Sequence, residues 1–246
     1  MSLLRKRKKG VLEKKKQKRQ KGTIDLCGYE LMLENGVAQV APGLFSQTVQ
    51  FGDITYQCAR KDTRENIYST MSALYNYFNP DTSVQVTITN EPVPAEEIGN
   101  RTFFPKTDPC LDAYVDEYNR ILNDKMREGV SNLKRQRYLT FTTKADDFDS
   151  AIPKLARMRN DCTQALARIK SKSEPVKGAE RLRIARGLLS PLSPFDFDWD
   201  NLSQCPTARS VDFVAPMSVD FKPNGRNDAF RADGAWCCVM AIRSFG

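Results

Sequence analysis

The clearest hydrophobic pattern predicts a strand, a second strand, a helix and a third strand in succession. Residues 45–51 (FSQTVQF) alternate apolar and polar side chains, as a half-buried strand does, and residues 54–58 (ITYQC) resume the alternation. Residues 84–88 (VQVTI) alternate again after Pro80. Between them, apolar side chains recur at helical spacing: Ile67, Met71, Leu74 and Phe78. We therefore expect a sheet with one apolar face and a helix that covers it.

The start of this helix carries a candidate capping box. Asp62 offers an N-cap oxygen, and Glu65 follows three residues later.

The rest of the chain predicts further elements of both kinds. A hairpin is expected over 29–40 with its turn at Asn35-Gly36, and a strand over 137–144. Apolar residues recur at helical spacing after Asp108, which is a candidate helix cap, and again after Asp147. A shorter helix is expected over 178–189, with basic residues on its outer face. Short strands are candidates over 210–221 and 236–242. The predicted class is α+β: a mostly antiparallel sheet with amphipathic helices packed on one face and a disordered basic N-terminal arm.

Residues 195–200 (FDFDWD) alternate aromatic and acidic side chains and leave two interpretations open. Three carboxylates on one edge would suit Mg²⁺ or Ca²⁺. The ordinary alternative, which we favour, buries Phe195, Phe197 and Trp199 and leaves the acids in water.

Three segments are expected along the chain. Residues 1–22 form a basic disordered arm, residues 23–189 an α+β domain, and residues 190–246 a short-strand segment that continues this domain. Because the last apolar strand has nothing beyond it, the sequence suggests a domain cut before its natural end.

Positive charge is concentrated in the arm. The chain holds 38 Lys and Arg against 30 Asp and Glu, and residues 1–22 contribute eleven of the basic side chains with one Glu. Such density favours disorder, and either solubilises the chain or attracts it to anionic lipid or nucleic acid. The candidate anionic-surface residues are Arg5, Lys6, Arg7, Lys8, Lys9, Lys14, Lys15, Lys16, Lys18, Arg19 and Lys21.

Composition excludes several kinds of chemistry. The chain has no histidine, which rules out Ser-His-Asp triads, Cys-His pairs and His-ligated metals. Seven cysteines without a C-x-x-C spacing fit reduced core thiols in the cytosol. There is no phosphate loop, no dinucleotide fingerprint and no nucleophile elbow. We expect no catalytic, cofactor-binding or metal-binding residue in this chain.

Several motifs together resemble the front part of conjugative-transfer ATPases of type IV secretion systems, in the version carried by integrative elements. The most specific block is residues 44–58 (LFSQTVQFGDITYQC), although Thr55 stands where that family has asparagine. Further blocks keep the family's order from about residue 24 to residue 242: 76–78 (NYF), 84–88 (VQVTI), 137–141 (RYLTF) with Ala145 and Asp146, 174–175 (EP), 180–182 (ERL) and 214–221 (VAPMSVDF).

The resemblance implies a role without catalysis. The family's ATPase core, which binds ATP and Mg²⁺, would lie beyond this chain, so the chain would be a docking and assembly module that itself hydrolyses no ATP. Its partners would be channel or inner-membrane components, with anionic lipid or DNA at the arm and self-association as in a hexameric motor. It would be cytoplasmic and peripheral on the inner face of the cell membrane. The alternative is a stand-alone nucleic-acid-binding protein that acts through the arm.

Overall fold

The computed structural model describes residues 22–93, 103–127, 133–204 and 207–242. The strands are β1 (Leu31–Met32), β2 (Ala38–Ala41), β3 (Leu44–Phe51), β4 (Ser83–Pro92), β5 (Leu133–Lys144), β6 (Ser173–Pro175), β7 (Val219–Asp220), β8 (Phe230–Ala232) and β9 (Ala235–Cys237). The helices are α1 (Lys61–Tyr77), α2 (Asp112–Arg127), α3 (Phe148–Arg168), α4 (Gly178–Leu189) and α5 (Trp199–Ser203).

The main sheet is antiparallel throughout. Its strands lie in the order β1-β2-β3-β5-β4, and β6 pairs with the end of β3. The long central pair aligns Val49 with Leu139, and β5 in turn aligns Leu139 with Val86 of β4. A second sheet holds β7, β8 and β9. The predicted α+β class with an antiparallel sheet is confirmed.

One face of the main sheet is apolar and forms the larger core. Phe45, Val49, Leu139 and Phe141 lie on this face, and each is almost completely buried. Helices α1 and α3 cover it. Helix α3 supplies its predicted stripe, which includes Leu155, Cys162 and Leu166, and α1 supplies Ile67 and Leu74. The periodicities of 2 in the strands and 3.6 in the helices therefore meet on one face, as the pattern predicts.

A smaller core joins the two ends of the described chain. Tyr29 and Met32 near β1 pack with Leu182 of α4 and with Val211 and Val214. The aromatic residues of the FDFDWD segment pack against this cluster, and the ring of Phe197 meets those of Trp199 and Phe213 edge-on. Asp196, Asp198 and Asp200 are exposed, as the favoured interpretation of that segment predicts.

Two predictions about the α1 region are wrong. Residues 54–58 form no strand, because β6 already occupies the free side of β3 where the chain leaves it, and a strand needs a ladder partner. Asp62 does not cap α1. The N-cap is Arg60, so Asp62 lies in the first turn, where its charge still complements the helix dipole.

Further predicted positions also need correction. Helix α2 begins at Asp112, and Asp108 accepts from the Cys110 amide in the turn before it. Residues 210–213 form a 3-10 turn, so only Val219–Asp220 of that stretch is a strand. The thiols are not all in the core, because Cys162 is buried but Cys58, Cys110 and Cys238 are exposed.

Candidate functional site

The residues predicted from the sequence to bind an anionic surface, Arg5 to Lys21, lie outside the described part of the chain. That hypothesis stays a prediction. Among the residues that the structure describes, no cluster of three or more His, Cys, Asp or Glu side chains is placed to hold a metal ion. No helix in the same part of the chain combines the length and the apolar character that a bilayer crossing requires.

The second face of the main sheet is polar, and the sequence alone did not indicate it as a candidate site. Its side chains form rows of hydroxyls and amides across three strands. Thr48 Oγ1 lies 2.8 Å from Thr140 Oγ1, and Gln50 Nε2 donates to Gln136 Oε1 at 2.6 Å. We call this surface the polar face; it comprises Ser46, Thr48, Gln50, Gln85, Thr87, Thr89, Gln136, Tyr138, Thr140 and Thr142.

Helix α4 lies beside the polar face and leaves a groove against it. The groove has a volume of about 240 Å³. Hydroxyl groups of β3, β4 and β5 form its floor, and Ile184 and Leu188 of α4 form an apolar wall. Met32 and Val40, from the β1–β2 hairpin, add further apolar surface. We call this feature the Arg181 groove, because Arg181 is the one charged side chain among the described residues that line it.

Arg181 is held against the sheet by its terminal nitrogens. Nη1 donates to the carbonyl oxygens of Gly36, at 2.7 Å, and Ser46, at 3.0 Å, and Nη2 donates to Ser46 Oγ at 3.0 Å. Ser46 therefore occupies the edge of the guanidinium formed by Nη1 and Nη2. Along the Nε–Nη2 edge, the Nε–H and the second N–H of Nη2 have no hydrogen-bond partner among the described residues. No described carboxylate pairs with Arg181, and burial lowers the pKa of this guanidinium to about 10.

The next arginine of α4, unlike Arg181, pairs with acids. Arg183 Nη2 lies 2.7 Å from Glu180 and Nη1 lies 3.1 Å from Glu91. The Glu180 hydrogen bond raises the pKa of Arg183. The Glu91 contact ties α4 to the end of β4.

Tyr138 also lines the groove, and it is 2% exposed. Burial raises the pKa of the Tyr138 phenol and the charge of Glu91 raises it further, while a hydrogen bond with Thr89 lowers it in part, so the group stays protonated at neutral pH. The hydroxyl itself is buried beside Thr89 and is not accessible from the groove.

The outer edge of β4 is a second candidate surface. β4 is the last strand of the main sheet, and no other described strand pairs with that edge. Residues 83–90 (SVQVTITN) contain no charged residue and no proline. On the apolar face, Val86 is 46% exposed and Ile88 is 58% exposed, because α1 and α3 do not reach this far along the sheet.

Helix α2 is inserted between β4 and β5 and also exposes apolar side chains. Leu111 is 52% exposed and Tyr118 is 50% exposed, and no α2 residue with a described side chain is buried. The contacts that hold it are local: the ring of Tyr118 meets Phe104 edge-on, and Asn119 Nδ2 donates to the Phe104 carbonyl oxygen at 3.0 Å. On the predicted stripe, Leu111 and Tyr118 are exposed and Val115 and Leu122 are half-buried, so the stripe is only partly covered.

No protein-family model matches the sequence, and no curated protein sequence matches it.

Sequence reasoning missed both surfaces for identifiable reasons. Helix 178–189 was expected to be basic on its outer face, but Arg181 faces the sheet and Arg186 is buried, so that expectation is wrong. The position of Arg181 near the start of its helix does not indicate that it will contact Ser46, which is distant in the sequence. The β4 edge was easier to predict, because the sequence itself shows that residues 83–90 contain no charge and no proline.

Proposed function

We propose that this chain is a non-catalytic protein-docking module whose β4 edge receives an extended segment of a partner protein. The observation that carries the proposal is the unprotected edge over 83–90. An edge strand presents a row of unpaired N–H and C=O groups, and proteins usually blunt such edges with lysine, proline or a bulge. Here none of these devices is present over eight consecutive residues.

The alternation of side chains on β4 defines the partner's chemistry. A strand added to this edge would gain main-chain hydrogen bonds along β4, and its own apolar side chains would cover Val86 and Ile88. Because β4 carries no charge over 83–90, the added segment should itself alternate apolar and uncharged polar residues. Exposed aromatic and aliphatic side chains of α2, among them Tyr114, Tyr118 and Ile121, offer a second apolar surface.

The resemblance of several sequence blocks to conjugative-transfer ATPases leads to a more specific proposal. The partner would be a channel or inner-membrane component of a type IV secretion system, and the module would work on the cytoplasmic side of that membrane. The basic arm would add attraction to anionic lipid or to the transferred DNA. Hydrolysis of ATP would belong to a separate core, so we expect no turnover from this chain alone.

The test is direct binding between the purified chain and each purified inner-membrane component of a conjugative apparatus, measured by biolayer interferometry. Two changes are informative. Deleting residues 1–22 should leave docking intact, whereas Ile88→Lys should weaken it at least about tenfold, because a charge at an edge opposes strand addition. Ile88 is 58% exposed, so the substitution should not unfold the chain.

A matched control replaces another exposed apolar residue. Tyr68→Lys, on α1, should bind as the unchanged chain does, since Tyr68 is 71% exposed and lies away from β4. Equal affinity for the Ile88→Lys and Tyr68→Lys variants would refute docking at this edge. Loss of all affinity on deleting the arm, together with salt-sensitive binding to duplex DNA, would support the nucleic-acid-binding alternative instead. Concentration-dependent dimerisation that Ile88→Lys abolishes would mean that the partner is a second copy.

A further inference from the structure

We propose that the Arg181 groove binds a small organic monocarboxylate with a short apolar chain, which the Nε–Nη2 edge of Arg181 grips through both carboxylate oxygens. This inference is independent of the docking proposal, because the groove lies on the polar face and the apolar residues of the β4 edge lie on the other.

The geometry of Arg181 selects a carboxylate. The two N–H groups of the Nε–Nη2 edge are parallel and match the two oxygens of a carboxylate. Ser46 and Gly36 already hold the rest of the guanidinium, so the edge is fixed before a ligand arrives. Such pre-organisation lowers the cost of binding.

The charge of the site selects a monoanion. Arg181 is the one charged residue among the described groove residues, and no described carboxylate neutralises it. A single negative charge would therefore balance the site. A phosphate dianion would leave an excess of negative charge in a half-buried place, which is unfavourable.

Size and polarity select the remainder of the ligand. At about 240 Å³ the groove is smaller than the roughly 300–1,000 Å³ of a drug-sized site. Ile184 and Leu188 offer an apolar wall for a short aliphatic chain. The threonine hydroxyls of the floor can donate to an oxygen on that chain. A hydroxy or keto substituent would therefore strengthen binding.

The experiment is an NMR titration of the full ¹⁵N-labelled chain with hexanoate, followed through the amide signals and the Arg181 Nε–H signal. We expect saturable binding with a dissociation constant in about the millimolar range, as suits so small a ligand. Hexan-1-ol lacks the charge and hexylammonium reverses it, so neither should bind measurably. Acetate lacks the chain and should bind at least several-fold more weakly than hexanoate.

Variants assign the binding to this groove. Arg181→Lys keeps the positive charge but loses the two parallel N–H groups of the Nε–Nη2 edge, and it should weaken hexanoate binding at least about tenfold. Arg226→Lys is the matched control, because Arg226 is exposed and pairs with Asp228 elsewhere; it should bind hexanoate normally.

A second variant keeps the proposal testable if Arg181→Lys does not fold. Ile184→Phe leaves Arg181 in place and fills the groove from α4, so it should abolish hexanoate binding. The proposal is wrong if hexanoate gives no saturable shift up to about 20 mM, if hexan-1-ol binds as well as hexanoate, or if Ile184→Phe still binds it.

Discussion

Asp233→Asn is the substitution that best tests how the small β7–β9 sheet is joined to the rest of the chain. Asp233 lies between β8 and β9, and one carboxylate oxygen is 3.4 Å from Nη2 of Arg186 in α4. The same oxygen accepts from Ser190 Oγ, and the other accepts from the Ser218 amide at 2.9 Å. The two charged side chains are 9% and 10% exposed, so the ion pair is nearly inaccessible to water.

The magnitude follows from what remains after the charge is removed. Removing one partner of a buried ion pair usually costs about 3–5 kcal/mol, because the other charge stays buried. Here Arg186 keeps the Ala215 carbonyl oxygen at 2.8 Å, and asparagine can still accept from Ser218. We therefore expect a loss of about 2–3 kcal/mol in the free energy of unfolding.

Asparagine is the appropriate replacement because it separates charge from backbone strain. The φ angle of Asp233 is 45°, which asparagine tolerates nearly as well as aspartate. An alanine at this position would add a conformational cost to the electrostatic one. The Asn variant therefore reports chiefly on the ion pair and its hydrogen bonds.

The assay is urea unfolding followed by circular dichroism, with thermal melting as a second measurement. A loss of about 2–3 kcal/mol corresponds to a fall of about 4–12 °C in Tm for a chain of this size. Asp228→Asn is the control, since Asp228 also pairs with an arginine at 2.7 Å but is largely exposed, and it should not change stability measurably. Equal stability of the two variants would refute the reasoning.

The pH dependence gives an independent check on the same carboxylate. Burial alone would raise the pKa of Asp233, but hydrogen bonds from Ser190 and Ser218 and the charge of Arg186 outweigh it and lower the pKa. A lowered pKa in the folded state contributes stability above the unfolded value of about 3.9, and this contribution is lost as the pH falls through the folded pKa. The unchanged chain and Asp233→Asn should therefore begin to converge in stability below about pH 4 and should meet only below the lowered folded-state pKa.

Two further predictions concern the main sheet and its core. Gly36→Ala should lower the free energy of unfolding by more than about 1 kcal/mol, because φ is +83° and a Cβ would collide with the Val176 carbonyl oxygen. Gly187→Ala in α4, where a Cβ meets open space, should raise it by up to about 1 kcal/mol. Urea unfolding of the two variants measures the difference. Burial raises the pKa of the Cys162 thiol to about 12, so at pH 8 iodoacetamide should label exposed Cys58 and spare Cys162 in the native chain, as intact-mass and peptide analysis would detect; equal labelling would contradict this.

The core of the fold could be predicted from sequence because its signal is periodic. The strand over 45–51, the stripe of α1 and the stripe of α3 all point at the same apolar face, and each lies where its period places it. The predicted ends of the helices were less accurate, because neighbouring residues compete to cap a helix and only a few hydrogen bonds decide between them. Asp147 caps α3 and its pKa is lowered by the Ser150 hydrogen bonds, whereas Asp62 does not cap α1.

The candidate groove could not be predicted, because it depends on contacts between residues far apart in the chain. Arg181 meets Ser46 across 135 positions, and Arg186 meets Asp233 across 47. On a helical wheel both arginines are ordinary surface residues. Only the tertiary fold shows that α4 turns them inward, one toward the polar face and one toward the β7–β9 sheet.

The two arginines of α4 have opposite chemical consequences although they are only five residues apart. Arg186 has a carboxylate, so its charge is compensated and its role is to join two parts of the fold. Arg181 has carbonyl and hydroxyl oxygens only, which orient the guanidinium without neutralising it. If Arg181 were also purely structural, a neutral hydrogen-bond donor would serve the same contacts without the cost of desolvating a charge. A buried charge that is oriented but not compensated is better explained by an anion that binds beside it.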